Sequence, residues 1–224
     1  MKTNQEYKNA ALAALSGNWA PAVVASVVMM LIVVATASPS VLYNMSLFDA
    51  SVAAMVKGIS LPILWGAGTL LGIFVISPVG VGTMYTFNRL LVSGDNDLTG
   101  NLLKGSLQGY GRNVWGMFLL SLYVTLWSLL LIVPGIIKSF SYAMTPYILK
   151  DNPELSANQA IDLSRKMMRG HKFDLFWLYL SFIGWYFLGI FTFGIGYFWL
   201  MPYIYTAQAA FYQDLKKEYA TNKS

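Results

Sequence analysis

VWGMFLLSLYVTLWSLLLIV, residues 114–133, decides the fold. Twenty residues pass without a charge. As a helix rising 1.5 Å per residue they cover about 30 Å, the thickness of a bilayer's hydrocarbon core. A soluble protein has no use for so long an apolar face. The next residues, Pro134-Gly135, are a turn signal. A second apolar segment, 136–150, then runs back toward a basic region.

The whole chain agrees with that stretch. Of 224 residues 56% are hydrophobic and only 11% charged, with mean hydropathy +0.53. A soluble domain carries about a quarter charged residues, because water must wet its surface. Aromatics reach 15%, with 7 Trp and 14 Tyr, residues favoured at the membrane–water interface. The composition predicts an all-α fold, a polytopic transmembrane helical bundle forming a single integral membrane domain over 1–224. The spans fall at about 19–37, 61–92, 114–133, 136–150, 173–193 and 197–213. The second is kinked by Ser77-Pro78-Val79-Gly80-Val81-Gly82. The fourth is short, and a re-entrant continuation of the third span competes with a tight external turn there. The first span is expected to stay uncleaved, although Ala35-Thr36-Ala37 resembles a signal cleavage site, because its apolar region is too long.

Charge sets the orientation. Residues 89–112 carry Arg89, Lys104 and Arg112, and residues 150–172 carry Lys150, Arg165, Lys166, Arg169 and Lys172. Both regions are expected on the cytoplasmic side by the excess of Lys and Arg in inner loops. An even number of crossings then separates them, which favours the tight turn at Pro134-Gly135 and six crossings with both termini inside. Residues 38–60, with only Asp49 and Lys57, read as external. Pro78, Pro134 and Pro202, each near a glycine, suggest three helical hairpins.

Two short amphipathic helices accompany the spans. Thr3 and Glu6 have capping-box spacing before a face of Tyr7, Ala10, Ala11, Ala14 and Leu15, so residues 3–16 form a helix, expected either at the membrane surface or as a polar leader into the first span. Ser156 and Gln159 repeat that spacing before Ala160, Ile161, Ser164, Met167 and Met168, and Gly170 suits the left-handed residue after a helix end. The helix over 156–169 is likewise expected at the cytoplasmic surface.

From Pro134 to Leu215 the text is more specific. Pro134-Gly135-Ile136, Asp151-Asn152-Pro153, Ala160-Ile161 with Ser164, Met168 with Gly170, Ser181-Phe182-Ile183-Gly184-Trp185, and Pro202-Tyr203 through Phe211-Tyr212 carry a likeness. The chain resembles the uncharacterised bacterial integral membrane family known as domain of unknown function 975. That family is similar in turn to the membrane domain of some glycerophosphodiester phosphodiesterases. The resemblance implies a multi-pass protein of the bacterial cytoplasmic membrane and no particular activity.

Candidate chemistry is sparse. Without cysteine, disulfides, thiolate catalysis and Cys-based metal sites are excluded. The single histidine, His171, has no partner by spacing for a metal site or a Ser-His-Asp set, and reads as an interfacial polar residue. No enzyme, cofactor or metal is expected. Fifteen basic residues scattered among apolar runs form no stripe for nucleic acid. Lys138, in an otherwise apolar segment, snorkels to the nearby outer boundary, pairs with a charge inside the bundle, or contacts lipid headgroups. Arg165, Lys166, Arg169 and Lys172 are candidates for holding anionic headgroups. Gly68 and Gly72, with Gly184 and Gly189, offer close helix contact. The expected role is a non-enzymatic membrane protein binding lipids or a protein partner. A small-molecule or ion transporter using the breaks at Pro78 and Pro134 is the alternative.

Overall fold

The computed structural model describes residues 1–47, 49–55 and 61–222. Lys57 and part of the external loop expected over 38–60 lie outside the described residues. The first ten elements are α1 (Asn4–Leu15), α2 (Trp19–Ser46), α3 (Ala50–Met55), α4 (Leu61–Leu71), a π-helical turn (Gly72–Ile76), α5 (Ser77–Ser93), α6 (Leu98–Leu107), α7 (Tyr110–Leu130), α8 (Ile132–Tyr142) and α9 (Thr145–Asp151). There follow α10 (Ala157–Met167), α11 (Lys172–Leu180), α12 (Ile183–Phe191) and α13 (Tyr197–Thr221). No strand occurs among the described residues.

Four helical stretches are long and apolar enough to cross a membrane: Trp19–Thr36, Gly66–Ser93, Tyr110–Leu130 and Lys172–Phe191. They fall on four of the expected spans. Most of their apolar side chains are not covered by protein. Leu129, Leu130, Leu131, Ile132 and Val133 project at one hairpin tip and Phe191 and Phe193 at another. Exposed aliphatic surface on that scale needs an apolar surrounding. The other two expected spans are helical without meeting that measure. One is divided between α8 and α9, and the other is α13, whose second half carries Gln213, Asp214, Lys216 and Lys217.

The helix breaks have identifiable causes. Pro78 has no N–H, so the carbonyl of Phe74 four residues earlier lacks its helical donor. The chain widens there into the π turn, and the Tyr110 hydroxyl donates to the Phe74 oxygen at 2.5 Å. The kink expected at Pro78 is thus a π bulge closed by α7. Pro134-Gly135, expected to be the turn itself, is not: the chain reverses at Leu131, which is fully extended (φ −159°, ψ 139°). Pro134 sits in the first turn of α8, where a missing N–H costs nothing because that group is unpaired anyway. Gly135 serves contact instead, since a Cβ there would stand 2.8 Å from the Ser128 Cα on α7.

Sequence spacing found the amphipathic helices but not what covers them. Both capping boxes form, at Thr3 with Glu6 and at Ser156 with Gln159, and Gly170 is left-handed (φ 92°). The surfaces they cover are protein, not membrane. Tyr7, Ala11 and Leu15 are buried, and the Tyr7 ring meets Phe211 of α13 edge-on at 5.5 Å. All five face residues of α10 are buried under neighbouring helices. Ser164 bridges the gap between α8 and α9: its hydroxyl donates to the Ser141 carbonyl (3.0 Å) and accepts from the Met144 amide (3.2 Å). The apolar faces of both helices are thus covered by protein, and a polar bond with close packing on α7, α8 and α9 holds α10.

The main core gathers where α1, α9, α10, α11 and α13 meet, with Tyr7, Met144, Tyr147, Phe182, Phe211 and Tyr212 buried together. Polar links tie this end. The Arg112 guanidinium donates to the carbonyls of Leu149, Asn152 and Pro153, placing a cation where the α9 dipole is negative. Asp151 accepts from Tyr212 and Lys216 on α13, so it staples α9 to α13. The Lys8 ammonium donates to the Ser181 carbonyl at 2.8 Å and lies 4.5 Å from the Phe182 ring centroid.

Candidate functional site

Lys138 and Arg165 are the two candidate residues that the fold brings together. Lys138 lies on α8, and its ammonium stands 4.4 Å from the centroid of Trp127 on α7. A cation over an indole face is held by the ring quadrupole, by about 2 kcal/mol where water is excluded. The helical repeat sets this up. Tyr123 and Trp127 are four apart on α7, Lys138 and Tyr142 four apart on α8, and the Leu131 reversal places the two pairs opposite each other. Lys138 therefore reaches into the protein, where an aromatic partner meets it, rather than toward the nearby hairpin tip.

The first turns of α10 close the third side. Asn158, Gln159, Ile161, Asp162 and Arg165 join Tyr123, Trp127, Lys138 and Tyr142 around a pocket of about 460 Å³. Tyr123 donates to the Asn158 side-chain oxygen at 3.0 Å, and Arg165 pairs with Asp162 at 2.7 Å. Two cations against one carboxylate leave the lining positive by one. The pocket can hold an anion of phosphate size, with aromatic and aliphatic walls beside it.

The other candidates do not converge there. Lys172 borders an apolar groove with Ile136, Ile137, Phe140 and Phe176. Lys166 borders a small depression with Leu155 and Tyr219. Arg169 is exposed. His171 has partners that spacing alone did not identify: its Nδ1 lies 3.0 Å from Asp174 and its Nε2 3.1 Å from Glu218 of α13. No group of three or more metal-ligating side chains occurs among the described residues. Of the glycines marked for helix contact, Gly189 stands against Tyr197, whereas Gly72 and Gly184 face open space.

Outside the spans, the electrostatics centre on α1. Burial pushes the Tyr7 hydroxyl pKa well up, and the Asp214 carboxylate it donates to at 2.7 Å adds to the shift. Burial pulls the Asp214 pKa upward too, but the Tyr7 hydroxyl, the Lys2 amide and the N-terminal charge outweigh it, and the net shift is downward.

Sequence reasoning missed Tyr123, Trp127, Tyr142 and Asn158, since aromatics near span ends read as interfacial belt residues. The i, i+4 aromatic pair on α7 facing an i, i+4 Lys–Tyr pair on α8 was the available signal.

The family described as a protein of unknown function (DUF975) matches this chain over residues 106–219, 114 of 224. That range contains α7 to α10, the whole pocket. The likeness to glycerophosphodiester phosphodiesterases is not shown by this match. No curated protein and no solved structure matches the chain.

Proposed function

The chain belongs to this family of proteins of unknown function (DUF975), and on that premise we propose that it is a multi-pass bacterial inner-membrane protein that binds anionic lipid headgroups without catalysis. One observation carries the reading: Lys138 and Arg165 meet in a pocket beside the uncovered apolar flank of α7 and α8. An anionic headgroup would sit between the two cations while its acyl chains lie along Leu126, Ile136 and Ile137, which are exposed. Each basic residue near an anionic surface contributes about 1 kcal/mol, and the pair about 2.

Six crossings with both termini in the cytoplasm complete the reading. The α8–α9 pair covers Ile132 to Asp151, at most about 30 Å if the two helices run on in line, and α13 has 25 residues, lengths compatible with two further crossings. Polar ends of both meet Arg112 and Asp151 at the same end of the bundle, which supports the three-hairpin topology. The transporter alternative rested on the breaks at Pro78 and Pro134. Of these two breaks the π bulge before Pro78 is present, with its freed carbonyl taken by Tyr110, whereas Pro134 lies in the first turn of α8 and opens none.

The test is native mass spectrometry of the detergent-purified protein titrated with phosphatidylglycerol or phosphatidylcholine. Phosphatidylglycerol should be retained preferentially. Lys138→Leu with Arg165→Gln should weaken it about thirtyfold, the ratio that 2 kcal/mol corresponds to. Arg169→Gln with Lys172→Gln, outside the pocket, should leave it nearly unchanged. Equal retention of both lipids, or equal effects of the two double variants, overturns the proposal.

A further inference from the structure

A second cleft, of about 560 Å³, opens between the α7–α8 hairpin and α11 to α13, with Met84 of α5 at its back. It shares the Tyr142 wall with the Lys138 pocket, but its lining carries no formal charge. Ser121, Thr125, Tyr179, Tyr205 and Gln208 supply its polar groups. Many helical hydroxyls among the described residues satisfy themselves on the preceding turn, although the buried Thr145 hydroxyl does not. Ser26, Thr83, Thr86, Ser106, Ser128, Ser141 and Thr206 each donate to the carbonyl four residues back. Ser121 and Thr125 do not, and no hydrogen bond joins their side chains to any described residue. The Gln208 amide is also without a partner among the described residues, although the residue is only 4% exposed. A buried polar group left unpaired costs about 1–3 kcal/mol, and more where lipid replaces water. Gln208 is the buried residue of the set, and with the half-buried Tyr179 and Tyr205 and the exposed Ser121 and Thr125 around the same space it suits a ligand that both donates and accepts hydrogen bonds.

We propose that this cleft binds an uncharged, hydroxyl-bearing group, a site separate from the anionic pocket and independent of whether that pocket binds lipid. Neutrality follows from the lining: no cation awaits an anion, and no carboxylate awaits a cation. Hydroxyls are matched because Gln208 offers both a donor and an acceptor, and the tyrosine and serine hydroxyls offer both as well. Ser121 and Thr125 are exposed at the rim, so the group can enter from the side on a neutral lipid or from water as a free polyol.

The chain has no cysteine, so a single one reports cleanly. Thr125→Cys protein in phosphatidylcholine vesicles is alkylated with a small maleimide, alone, with dioleoylglycerol in the bilayer, or with myo-inositol in the buffer. Leu129→Cys, on uncovered apolar surface, is the reference. Slower alkylation at residue 125 but not at 129 is expected in one of these arms. Protection by dioleoylglycerol assigns the head of a neutral lipid, and protection by inositol assigns a free solute. Gln208→Leu should weaken the protecting ligand about tenfold, one hydrogen-bonded group's worth. Tyr205→Phe, which keeps the ring, gives the same readout with less disturbance to packing. No protection in either arm overturns the proposal, as does equal protection by phosphatidylglycerol or by trioleoylglycerol, which has no hydroxyl.

Discussion

Replacing Tyr7 with Phe tests whether α1 is docked by a specific bond or merely by apolar contact. Tyr7 is 1% exposed, its ring edge-on to Phe211 and its hydroxyl 2.7 Å from an Asp214 oxygen. Phenylalanine keeps the ring, so packing survives and only the hydroxyl's hydrogen bonds are lost, the one donated to Asp214 and the one accepted from the Lys2 amide at 3.1 Å. A hydrogen bond to a charged partner contributes about 1.5–3 kcal/mol. Asp214 is only partly buried and keeps the Lys2 amide at 2.8 Å, so solvent and this second donor place the loss at the lower end. Undocking of α1 should become easier by about 1.5 kcal/mol, a little over tenfold in the opening equilibrium. Hydrogen exchange followed by mass spectrometry on the detergent-solubilised protein measures this. Amides of residues 7–15 should exchange about ten times faster, while α9 and α10 remain unchanged. A change under twofold in α1, or acceleration spread evenly over the chain, refutes the claim that this bond docks α1.

Acid should release the same helix. Asp214 has a folded pKa below its ordinary 3.8, so its contribution is fully present above that value and is lost as pH falls through the depressed one. Spin labels at Asn9→Cys and Lys217→Cys should hold one narrow distance down to about pH 4 and broaden below it, and Tyr7→Phe should move that midpoint upward. Ser164→Ala should cost about 1–3 kcal/mol by leaving the Met144 amide buried without its acceptor, read as a lower thermal midpoint, with Ser164→Thr partly restoring it. Gly135→Ala should cost about 1–3 kcal/mol, because its Cβ meets Ser128 at the α7–α8 contact, whereas Gly184→Ala, with open space, should be neutral. Equal midpoints for the two alanine variants would refute the contact.

The pocket shows how far linear text reaches. Lys138 and Arg165 stood out because a charge in an apolar run, or several in one helical turn, is visible in composition alone. Their convergence was not visible. It depends on the reversal falling at Leu131 rather than at Pro134-Gly135, a shift of three residues that turns Lys138 from the hairpin tip toward Trp127. The cleft was less legible still, since Ser121, Thr125 and Gln208 are ordinary residues until their hydrogen bonds are counted. The residues of the family resemblance, in turn, lie mostly in the core: Ser164 closes the α8–α9 gap, and Phe182 receives Lys8 and the edge of Tyr203.

The sequence by itself determined that this is a helical protein with apolar stretches of membrane length, because 114–133 and its counterparts leave no other home for so many uncharged residues. It also determined both capping boxes, whose bonds form between neighbours three residues apart. Only the tertiary structure decided what the amphipathic faces cover. A stripe of Tyr7, Ala11 and Leu15 is equally apolar to a lipid surface and to α13. Only the shape of the partner and the carboxylate of Asp214, two hundred residues away in the chain, distinguish the two.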